Sequence, residues 1–485
     1  MMENSDAVRE ELGIPAEDWE RTPASVRAIV LAQHQMVKQI AQLEAEIADL
    51  REQIERHSGN SSQPPSSDGP QQKAERKPKR KGRRKRGGQK GHPGHKRDLL
   101  PIEQVDEVIV HKPTTCAGCG SLLLGEDPAP RRWQVTEIPP VKAIVTEHQV
   151  HTVTCTCCGQ ATTGQLPEEV AGSQFGASLT SMATLLMGVY RLSKRRVVQL
   201  LRDVYGIEMG IGSVIAIQQR VSDALEIPFE QAADYVRRQP VCNIDETGWK
   251  QGDAERSAWL WVGVTPRVTL FRVALSRGSQ VAKTLIDEEG DSIAGTDRAS
   301  AYTFLGVERR QLCWAHLRRN FQAIADRSGP SAEIGHVLLQ LTADWLGKWN
   351  RVRDGTLTRR QFIDRHLGGY RHAIRAWLEK GTRSSHAKTA RTCRAILKLE
   401  PALWTFAHVP GVEPTNNSAE RALRHAVIWR KLCHGTQSDA GSRFVERILT
   451  TVETCRQQDR SPLDFIRQAV AAHWAGRIAP SLLPI

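Results

Sequence analysis

The chain of 485 residues lacks long hydrophobic runs and the marks of an exported protein. No stretch approaches the roughly 20 apolar residues that span a bilayer. The first residues, MMENSDAVREELG, have neither the basic start nor the apolar stretch of a secretory signal. Ten cysteines over this length are too sparse for the disulfide framework of a small secreted domain. We therefore expect a cytoplasmic protein with no membrane partner.

Positive charge is in excess. Lys and Arg number 67 against 54 Asp and Glu, which gives a formal net charge of +13 and a pI near 9.4. Such a balance favours a polyanionic partner, nucleic acid first, although a merely solvated basic surface is the alternative. The length exceeds that of one ordinary core and predicts a multidomain protein.

The N-terminal segment has a heptad pattern. Apolar residues alternate at spacings of four and three, which is the seam of a coiled coil. They are Met36, Ile40, Leu43, Ile47, Leu50 and Ile54. We predict a coiled coil over residues 25–57 that joins two or more copies of the chain; one amphipathic helix packed on its own domain is the alternative.

Residues 58–100 read as a disordered linker, first rich in Ser and Pro and then basic. Ten of the fourteen residues from Lys73 to Arg86 are Lys or Arg. Such a run can bind the phosphates of a nucleic acid whatever its base sequence. A solubilising segment is the alternative. The DNA-binding candidates in this run are Arg80, Lys81, Arg83, Arg84, Lys85 and Arg86.

Two Cys-x-x-Cys-Gly turns predict a structural zinc site in a zinc-ribbon-like domain over residues 101–165. The expected ligands are Cys116, Cys119, Cys155 and Cys158, with Cys157 as the spare. The stretch between the turns, residues 131–155, has the alternation of a β-hairpin. Free or redox-active thiols are the alternative, as is replacement of a cysteine by His148 or His151.

Residues 175–235 form a predicted helical DNA-binding region. A helix over 194–205, a turn over 206–212 and a second helix from about Ser213 suggest a helix-turn-helix, with Arg220 facing the groove. Plain helical packing is the alternative.

Beyond Pro240 the pattern predicts strands in the order β, β, β, α, β. Asp245 and Asp297 end two apolar strands, which a ribonuclease-H-like sheet would place side by side. A third acid is expected from a later helix, where Glu420 lies in the first turn of NNSAERALRHAVIWRK, with Glu413 and Glu446 as rivals. Each acid taken alone is more often a cap or turn residue. Together they suit magnesium, which prefers hard oxygen ligands.

The segment Cys313-Trp-Ala-His316 has only two metal ligands, which is too few for a zinc site. It favours a structural role beside the acids, with Arg318 and Arg319 facing phosphate. Residues 321–410 are helical in composition and rich in Trp and Arg, including Trp345, Trp349, Trp377 and Trp404. They predict an insertion that clamps DNA or shapes an interface.

Four motifs, in this order and spacing, resemble the insertion-sequence-66 family of bacterial transposases, members of the DDE class. They are Asp245-Glu246-Thr247; Gly295-Thr296-Asp297 with Tyr302; Cys313-Trp-Ala-His316-Leu-Arg-Arg319-Asn-Phe321; and Asn416-Asn417-Ser-Ala-Glu420-Arg421-Ala-Leu-Arg424. The zipper-like helix, the linker running into Gly87–His92 and the Cys-x-x-Cys segment also fit, so the resemblance covers nearly the whole chain.

The resemblance implies that Asp245, Asp297 and Glu420 are the catalytic triad of a ribonuclease-H-like α/β domain over residues 240–455, followed by a C-terminal tail, 456–485. The predicted fold class of the whole chain is therefore multidomain α+β, with the helical insertion of the catalytic domain at about 321–410. Glu246 is left out of the metal site because a strand aims it at the face opposite Asp245. Arg421, beside Glu420, joins Arg220, Arg318 and Arg319 as a DNA-binding candidate.

The implied activity is that of a DDE-type DNA transposase, which binds the terminal inverted repeats of its element and cleaves and transfers DNA strands. Two magnesium ions, with manganese as a substitute, are the implied cofactors beside structural zinc. The implied partners are the element ends, target DNA and element-encoded accessory proteins, in a bacterial cytoplasm and at the nucleoid when bound. A DNA-binding regulator and a metal-dependent nuclease without strand transfer are the alternatives.

Overall fold

The computed structural model describes residues 5–61, 68, 98–171, 173–252 and 257–484. The chain divides into two compact units. One comprises the described residues of 1–74, 226–460 and 481–485, and the other comprises those of 75–225 and 461–480. No helix in the described part of the chain has the length and hydropathy needed to cross a bilayer. The basic run from Lys73 to Arg86 lies outside the described residues.

The N-terminal segment contains a helical hairpin and one long helix. The helices are α1 (Ser5–Glu11), α2 (Ala16–Arg21) and α3 (Ala24–Ile54). The indole of Trp19 is buried and donates to Ser5 Oγ at 3.2 Å, which ties α2 to α1. Along α3 the predicted seam is exposed, from 49% for Ile47 to 76% for Ile54. An apolar stripe left in solvent is what a partner helix would cover; the coiled coil itself stays a prediction.

The cysteine-rich segment has two short strands, β1 (Thr152–Thr154) and β2 (Ala161–Thr163), paired antiparallel across the second Cys-x-x-Cys turn. The predicted hairpin between the two turns is wrong: residues 131–150 contain no strand. Instead, short antiparallel pairings form on either side of each Cys-x-x-Cys turn. Thr115 bridges to Leu122 around the first turn, and β1 pairs with β2 around the second. Alternating side chains are therefore insufficient for a hairpin where no tight turn brings the two halves together.

The helical region of the same unit confirms the two predicted helices on either side of a turn. Ser193 caps the first, and Gly206 ends it in the left-handed region at a φ of 65°. The second begins two residues earlier than expected, at Ile211. The helices are α4 (Glu168–Ala171), α5 (Ala177–Gly188), α6 (Lys194–Tyr205) and α7 (Ile211–Ala224).

The C-terminal segment is more than the predicted tail. Residues Pro462–Trp474 form a helix, named α18 from its place in the chain, that packs on α5 and α7. Phe465, Ile466, Ala469 and Val470 are buried, at the spacing of one helical face. This apolar stripe is the reason that the segment folds onto the helical region.

A five-stranded mixed sheet forms the centre of the other unit. Its order is β5-β4-β3-β6-β7, with β3 antiparallel to β4, β4 antiparallel to β5, and β3, β6 and β7 parallel. The strands carrying Asp245 and preceding Asp297 are neighbours, as predicted. The elements are α8 (Glu226–Arg237), β3 (Val241–Trp249), β4 (Ala258–Val264), β5 (Thr269–Ala274), α9 (Ser279–Ala282), β6 (Ile293–Thr296) and β7 (Arg310–Leu312).

Two helices from the end of this unit pack on the sheet: α16 (Asn417–Cys433) on β3 and β4, and α17 (Asp439–Gln457) on β5. The backbone N–H groups of alternate β5 residues donate to side chains of α17, namely Thr454, Thr450 and Glu446. Four helical residues rise about 6 Å and two strand residues about 6.6 Å, so the spacings match. This satisfies an edge that would otherwise recruit another strand.

The predicted helical insertion lies between β7 and α16 and has a core of its own. Its large rings pack at centroid distances from 4.6 Å, for Trp349 with Phe406, to 6.4 Å, for Phe362 with Phe406. Trp345, Trp349 and Trp404 are buried here, so they stabilise the insertion, and any DNA contact from it has to come from its surface. The helices are α10 (Trp314–Ala325), α11 (Pro330–Arg353), α12 (Arg359–Phe362), α13 (Gly368–Thr382), α14 (Ala387–Leu397) and α15 (Thr405–His408).

The exposed seam of α3 leads to a test of self-association. The double change Ile40→Asp with Ile47→Asp puts two charges into the seam and should dissociate the oligomer, because desolvating them costs more than the seam gains. The mass in solution, measured by light scattering, should fall to that of one chain. Gln35→Asp with Gln42→Asp adds the same charge on the outer face and should leave the mass unchanged. Equal masses for both variants would exclude pairing through this seam.

Candidate active site

Two carboxylates converge because of the register of β3 and β6. Asn243 pairs in parallel with Gly295, and Asp245 and Asp297 each lie two residues further on. Asp245 is not at a strand end as predicted, since β3 continues to Trp249. Gly295 allows this close pairing: a Cβ there would lie 2.3 Å from the amide oxygen of Asn243.

The pKa of Asp245 depends on its burial and on the acids around it. Loss of solvation raises the pKa of Asp245 well above its usual range, and the negative charges of Glu246, Asp297 and Glu420 raise it further. The structure thus brings the three predicted acids into one region.

Asp297 follows β6 directly and is held by its own turn. One carboxylate oxygen accepts the backbone N–H of Ala299 at 2.7 Å. The backbone carbonyl of Asp297 accepts from the buried guanidinium of Arg310 at 3.1 Å. The turn that follows the strand therefore fixes where this carboxylate points.

Glu420 lies in the first turn of α16 and faces α10. Arg319 donates to its carboxylate at 2.7 Å, and His316 Nδ1 lies 3.7 Å from the same oxygen. The guanidinium of Arg319 thus pairs with Glu420 in this structure, and its predicted contact with a DNA phosphate stays a prediction. Arg318 and Arg421 are exposed, as a DNA contact requires.

Glu246 is a buried acid whose role the sequence did not indicate. Its side chain is 1% exposed, and both oxygens are occupied: Arg277 donates to one at 2.8 Å, and the Tyr302 hydroxyl donates to the other at 2.6 Å. Burial raises the pKa of Glu246, and the charge of Asp297 adds to this. The sequence offered no signal for these contacts, because both partners come from elements that are distant in the chain.

Cys313 and Asn416 connect the elements that carry the three acids. The backbone N–H of Cys313 donates to Thr296, the residue before Asp297, at 2.8 Å. The backbone N–H of Asn416 donates to Cys313 Sγ at 3.1 Å, and its side-chain amide donates to the carbonyl of Ile244 at 2.8 Å. Ile244 precedes Asp245, and Asn416 begins the helix of Glu420. We name this pair of residues the acid clamp.

Cys313, His316 and Glu420 have ligand atoms within 4.8 Å of one another. This adds a third donor to the Cys-x-x-His pair seen in the sequence. Burial raises the pKa of Cys313 to about 11, which keeps the thiol neutral, and its sulfur accepts the N–H of Asn416. Arg319 also pairs with Glu420. We therefore interpret Cys313 and His316 as residues that position the acids.

The rival third acids are engaged elsewhere. Glu413 is exposed and pairs with Arg353. Glu446 is buried at the β5 edge, where it accepts the N–H of Val273 and pairs with Arg443 at 3.0 Å. Burial raises the pKa of Glu446 to about 7. Both carboxylates therefore have structural partners outside the cluster around Asp245.

The cysteine turns repeat one geometry. In each, the glycine after the second cysteine has a φ of 75° and donates to the carbonyl of the first cysteine at 2.9 Å. Hydrogen bonds with Ser121 lower the pKa of Cys119 to about 7, and Cys116 contributes to this. Cys155 is hydrogen bonded in turn by Cys157 and Cys158. In the described residues the two turns do not meet within ligand distance of one another.

Comparison with known families decides the identity. Residues 172–444, more than half of the chain, match the transposase IS66 family. The chain belongs to this family. The IS66 match includes Asp245, Asp297 and Glu420, and it confirms the resemblance seen in the motifs.

Other segments match as well. Residues 113–159 match the zinc-finger binding domain of transposase IS66, which includes all five cysteines of the two turns, and residues 15–98 match a family of unknown function. A curated relative, the uncharacterized protein y4qI of Sinorhizobium fredii (strain NBRC 101917 / NGR234), is 26% identical over 426 residues. The alignment covers 79% of this chain and 75% of that protein.

The acid clamp can be tested through stability. Asn416→Ala leaves the buried carbonyl of Ile244 without its donor, which should lower the free energy of unfolding by about 1 to 3 kcal/mol. Asn417→Ala, one residue further and exposed, should cost no more than about 0.5 kcal/mol. Urea unfolding followed by tryptophan fluorescence measures both. Equal costs would show that the Asn416 amide is not a link between these elements.

Proposed function

We propose that this IS66-family chain is a DNA transposase whose triad is Asp245, Asp297 and Glu420. The observation that carries the proposal is geometric: Asp245 and Asp297 each lie two residues beyond the paired residues Asn243 and Gly295, and the helix that carries Glu420 packs on β3. Burial, and then the charges of Asp297 and Glu420 together with that of Glu246, raise the pKa of Asp245, in agreement with this proximity. Each of the three acids comes from a different element, namely β3, the turn after β6, and α16. The strand order, three antiparallel strands continued by two parallel ones, supports a ribonuclease-H-like class for this sheet.

Carboxylates from three different elements that lie close together offer the hard oxygen donors that a divalent metal such as magnesium prefers. Asp245 and Asp297 are the residues that would hold magnesium, with Glu420 as the third ligand once Arg319 shares or releases it. A pair of such ions, with manganese as a substitute, stabilises the attacking and leaving oxygens of phosphodiester displacement. The protein's own part is to hold the carboxylates close together and correctly turned.

The neighbouring residues each have a task in this scheme. Arg277 and Tyr302 hold Glu246 away from the metal ligands by occupying both of its oxygens. The acid clamp keeps the third acid in register with the first two. Arg319 neutralises Glu420 in the free protein, and its guanidinium is then available to a DNA phosphate when Glu420 takes a metal.

DNA recognition is assigned to the modules before the sheet. The zinc-finger domain and the helices α6 and α7, with Arg220 half-buried on the second, would bind the terminal inverted repeats. The basic run before them supplies phosphate contacts of any sequence. Pairing through α3 would bring two element ends together, and accessory proteins of the element complete the partners proposed.

The triad is tested by strand cleavage on DNA that carries the element ends. Asp245→Ala, Asp297→Asn and Glu420→Gln should each lower the rate by about 1,000-fold or more, since a lost metal ligand removes several kcal/mol of transition-state stabilisation. Asp297→Asn keeps the size of the side chain and an oxygen that can accept the N–H of Ala299, so it should melt close to the wild type. Glu413→Gln is the matched control and should cleave normally.

Chelation of divalent metal should abolish cleavage, and added magnesium should restore it. Full activity in any one variant removes that residue from the triad. The products also separate the alternatives: cut but unjoined DNA indicates a nuclease, while binding without cutting by the wild type indicates a regulator.

We also propose Cys116, Cys119, Cys155 and Cys158 as the ligands of one structural zinc, with Cys157 left over. The double change Cys116→Ser with Cys155→Ser removes one thiolate from each turn and should lower the zinc content by about one ion per chain. Cys157→Ser is the matched control and should retain the metal. Metal analysis of the purified proteins measures this, and an unchanged zinc content in the double variant would refute the ligand set.

A further inference from the structure

A half-exposed arginine lies beside the acids and pairs with one of them. Arg277 belongs to the loop between β5 and α9, and 49% of its side chain is exposed. Its Nε donates to one oxygen of Glu246 at 2.9 Å, and its Nη2 lies 2.8 Å from the same oxygen. These contacts use the inner edge of the planar guanidinium. The outer edge, formed by Nη1 and the second N–H of Nη2, has no acceptor among the described residues.

The plane of this guanidinium is fixed as well. It lies over the ring of Trp259 on β4, with its central carbon 4.6 Å from the ring centroid. The loop is tied to the same strand, because the carbonyl of Ser276 accepts the indole N–H of Trp261 at 3.2 Å. An arginine whose plane and inner edge are already held loses little conformational entropy when a ligand binds to its outer edge.

Glu246 is the group that orients the arginine. Its side chain is 1% exposed, and its second oxygen accepts the Tyr302 hydroxyl at 2.6 Å. A buried carboxylate paired with an arginine is a poor source of stability, because desolvation offsets most of the attraction. What the pair does provide is a guanidinium of fixed direction, whose exposed part lies on the side away from Glu246.

The arginine lies close to the proposed metal site. The charge of Asp297 acts on Asp245, on one face of β3. The same charge acts on Glu246 and Arg277, on the other face. Since Glu246 adjoins Asp245, the guanidinium is one Cα–Cα step, one side chain and one hydrogen bond from that strand position, or on the order of 10 Å. At about 3.4 Å of rise per nucleotide, this distance equals about three nucleotides of one DNA strand.

We propose that the outer edge of the Arg277 guanidinium binds a backbone phosphate of the DNA substrate, within about three nucleotides of the phosphate held at the acids. The proposal rests on the proposed function for its ligand. The edge presents two N–H groups side by side, which match two oxygens of one phosphate. Glu246 and Tyr302 are positioning residues: they hold the arginine and touch no DNA.

The test uses the full chain and short duplexes that carry the element ends, in binding titrations at increasing salt. Arg277→Ala should weaken binding several-fold and reduce the slope of log K against log salt by about 0.9, the loss of one phosphate contact. Because this change leaves Glu246 buried without its cation, Arg277→Ala with Glu246→Gln is measured beside it and should show the same loss. Arg375→Ala removes an exposed arginine that pairs with Glu379 on α13, and this matched control should keep the slope.

The contacted phosphate is located with duplexes that carry one neutral methylphosphonate at successive positions. At the phosphate that Arg277 contacts, neutralisation should weaken binding by the wild type and leave binding by Arg277→Ala unaffected. That position should lie within about three nucleotides of the terminus of the element, where the cut is expected.

Glu246→Gln separates orientation from charge. It keeps the arginine but gives the guanidinium a weaker acceptor, so the salt slope should stay as in the wild type. The effect of the methylphosphonate should then spread over neighbouring phosphates, because the outer edge is no longer held in one direction. A profile as sharp as that of the wild type would remove Glu246 as a positioning residue.

Three results would overturn the phosphate site: an unchanged slope in Arg277→Ala, a slope loss equal to that of Arg375→Ala, or a methylphosphonate effect lost in Arg277→Ala only at a distant phosphate. Melting curves show whether each variant is folded at the temperature of the titrations. Binding needs no cleavage, so the site is tested even if the wild type does not cut DNA. A wild type that cuts DNA, with Arg277→Ala indistinguishable from it in slope and profile, retains the triad and removes the phosphate site.

Discussion

Repulsion among carboxylates is the constraint around which the sheet-bearing unit is arranged. Asp245 and Glu246 are buried, and the charge of Asp297 acts on both of them while that of Glu420, which is partly exposed, acts on Asp245. Like charges interact strongly where solvent is excluded. A fold that concentrates charge in this way has to balance it with nearby groups or with a bound cation.

The four acids differ in how many partners their carboxylates have. Glu246 has both oxygens occupied by an arginine and a tyrosine, and Glu420 pairs with an arginine of α10. Asp245 accepts only the N–H of Glu246 among the contacts found in the described residues, and Asp297 only that of its own turn. In the described residues neither aspartate carboxylate has an ion pair at contact distance, although the charges of Arg298 and Arg310 act on Asp297.

The rest of the unit keeps this arrangement rigid. One sheet edge is satisfied by α17, which removes Glu446 from competition for a catalytic role. The helical insertion separates Asp297 from Glu420 in the chain and has an aromatic core of its own. Its folding therefore does not depend on the position of Glu420. The acid clamp then joins the start of the insertion to its end, which returns α16 to the side of β3.

Much of this was predictable from particular residues. The strand pattern around Asp245 and Asp297, the helix at Glu420, the two helices at 194–224 and the cysteine turns all arise from local periodicity and turn chemistry, which act over a few residues. Family motifs added the order of the acids. The hairpin between the cysteine turns was wrong and the C-terminal segment was more than a tail, because strand pairing and helix docking depend on partners that a local pattern does not contain.

The sequence by itself thus determined which residue types are present, how charge and apolar residues are distributed, and which segments become strands or helices. The tertiary structure alone decided what those side chains contact. It paired Arg319 with Glu420, gave Glu246 to Arg277 and Tyr302, and buried the tryptophans of the insertion. These are contacts between residues far apart in the chain, and their energies depend on burial and distance, which exist only once the chain has folded.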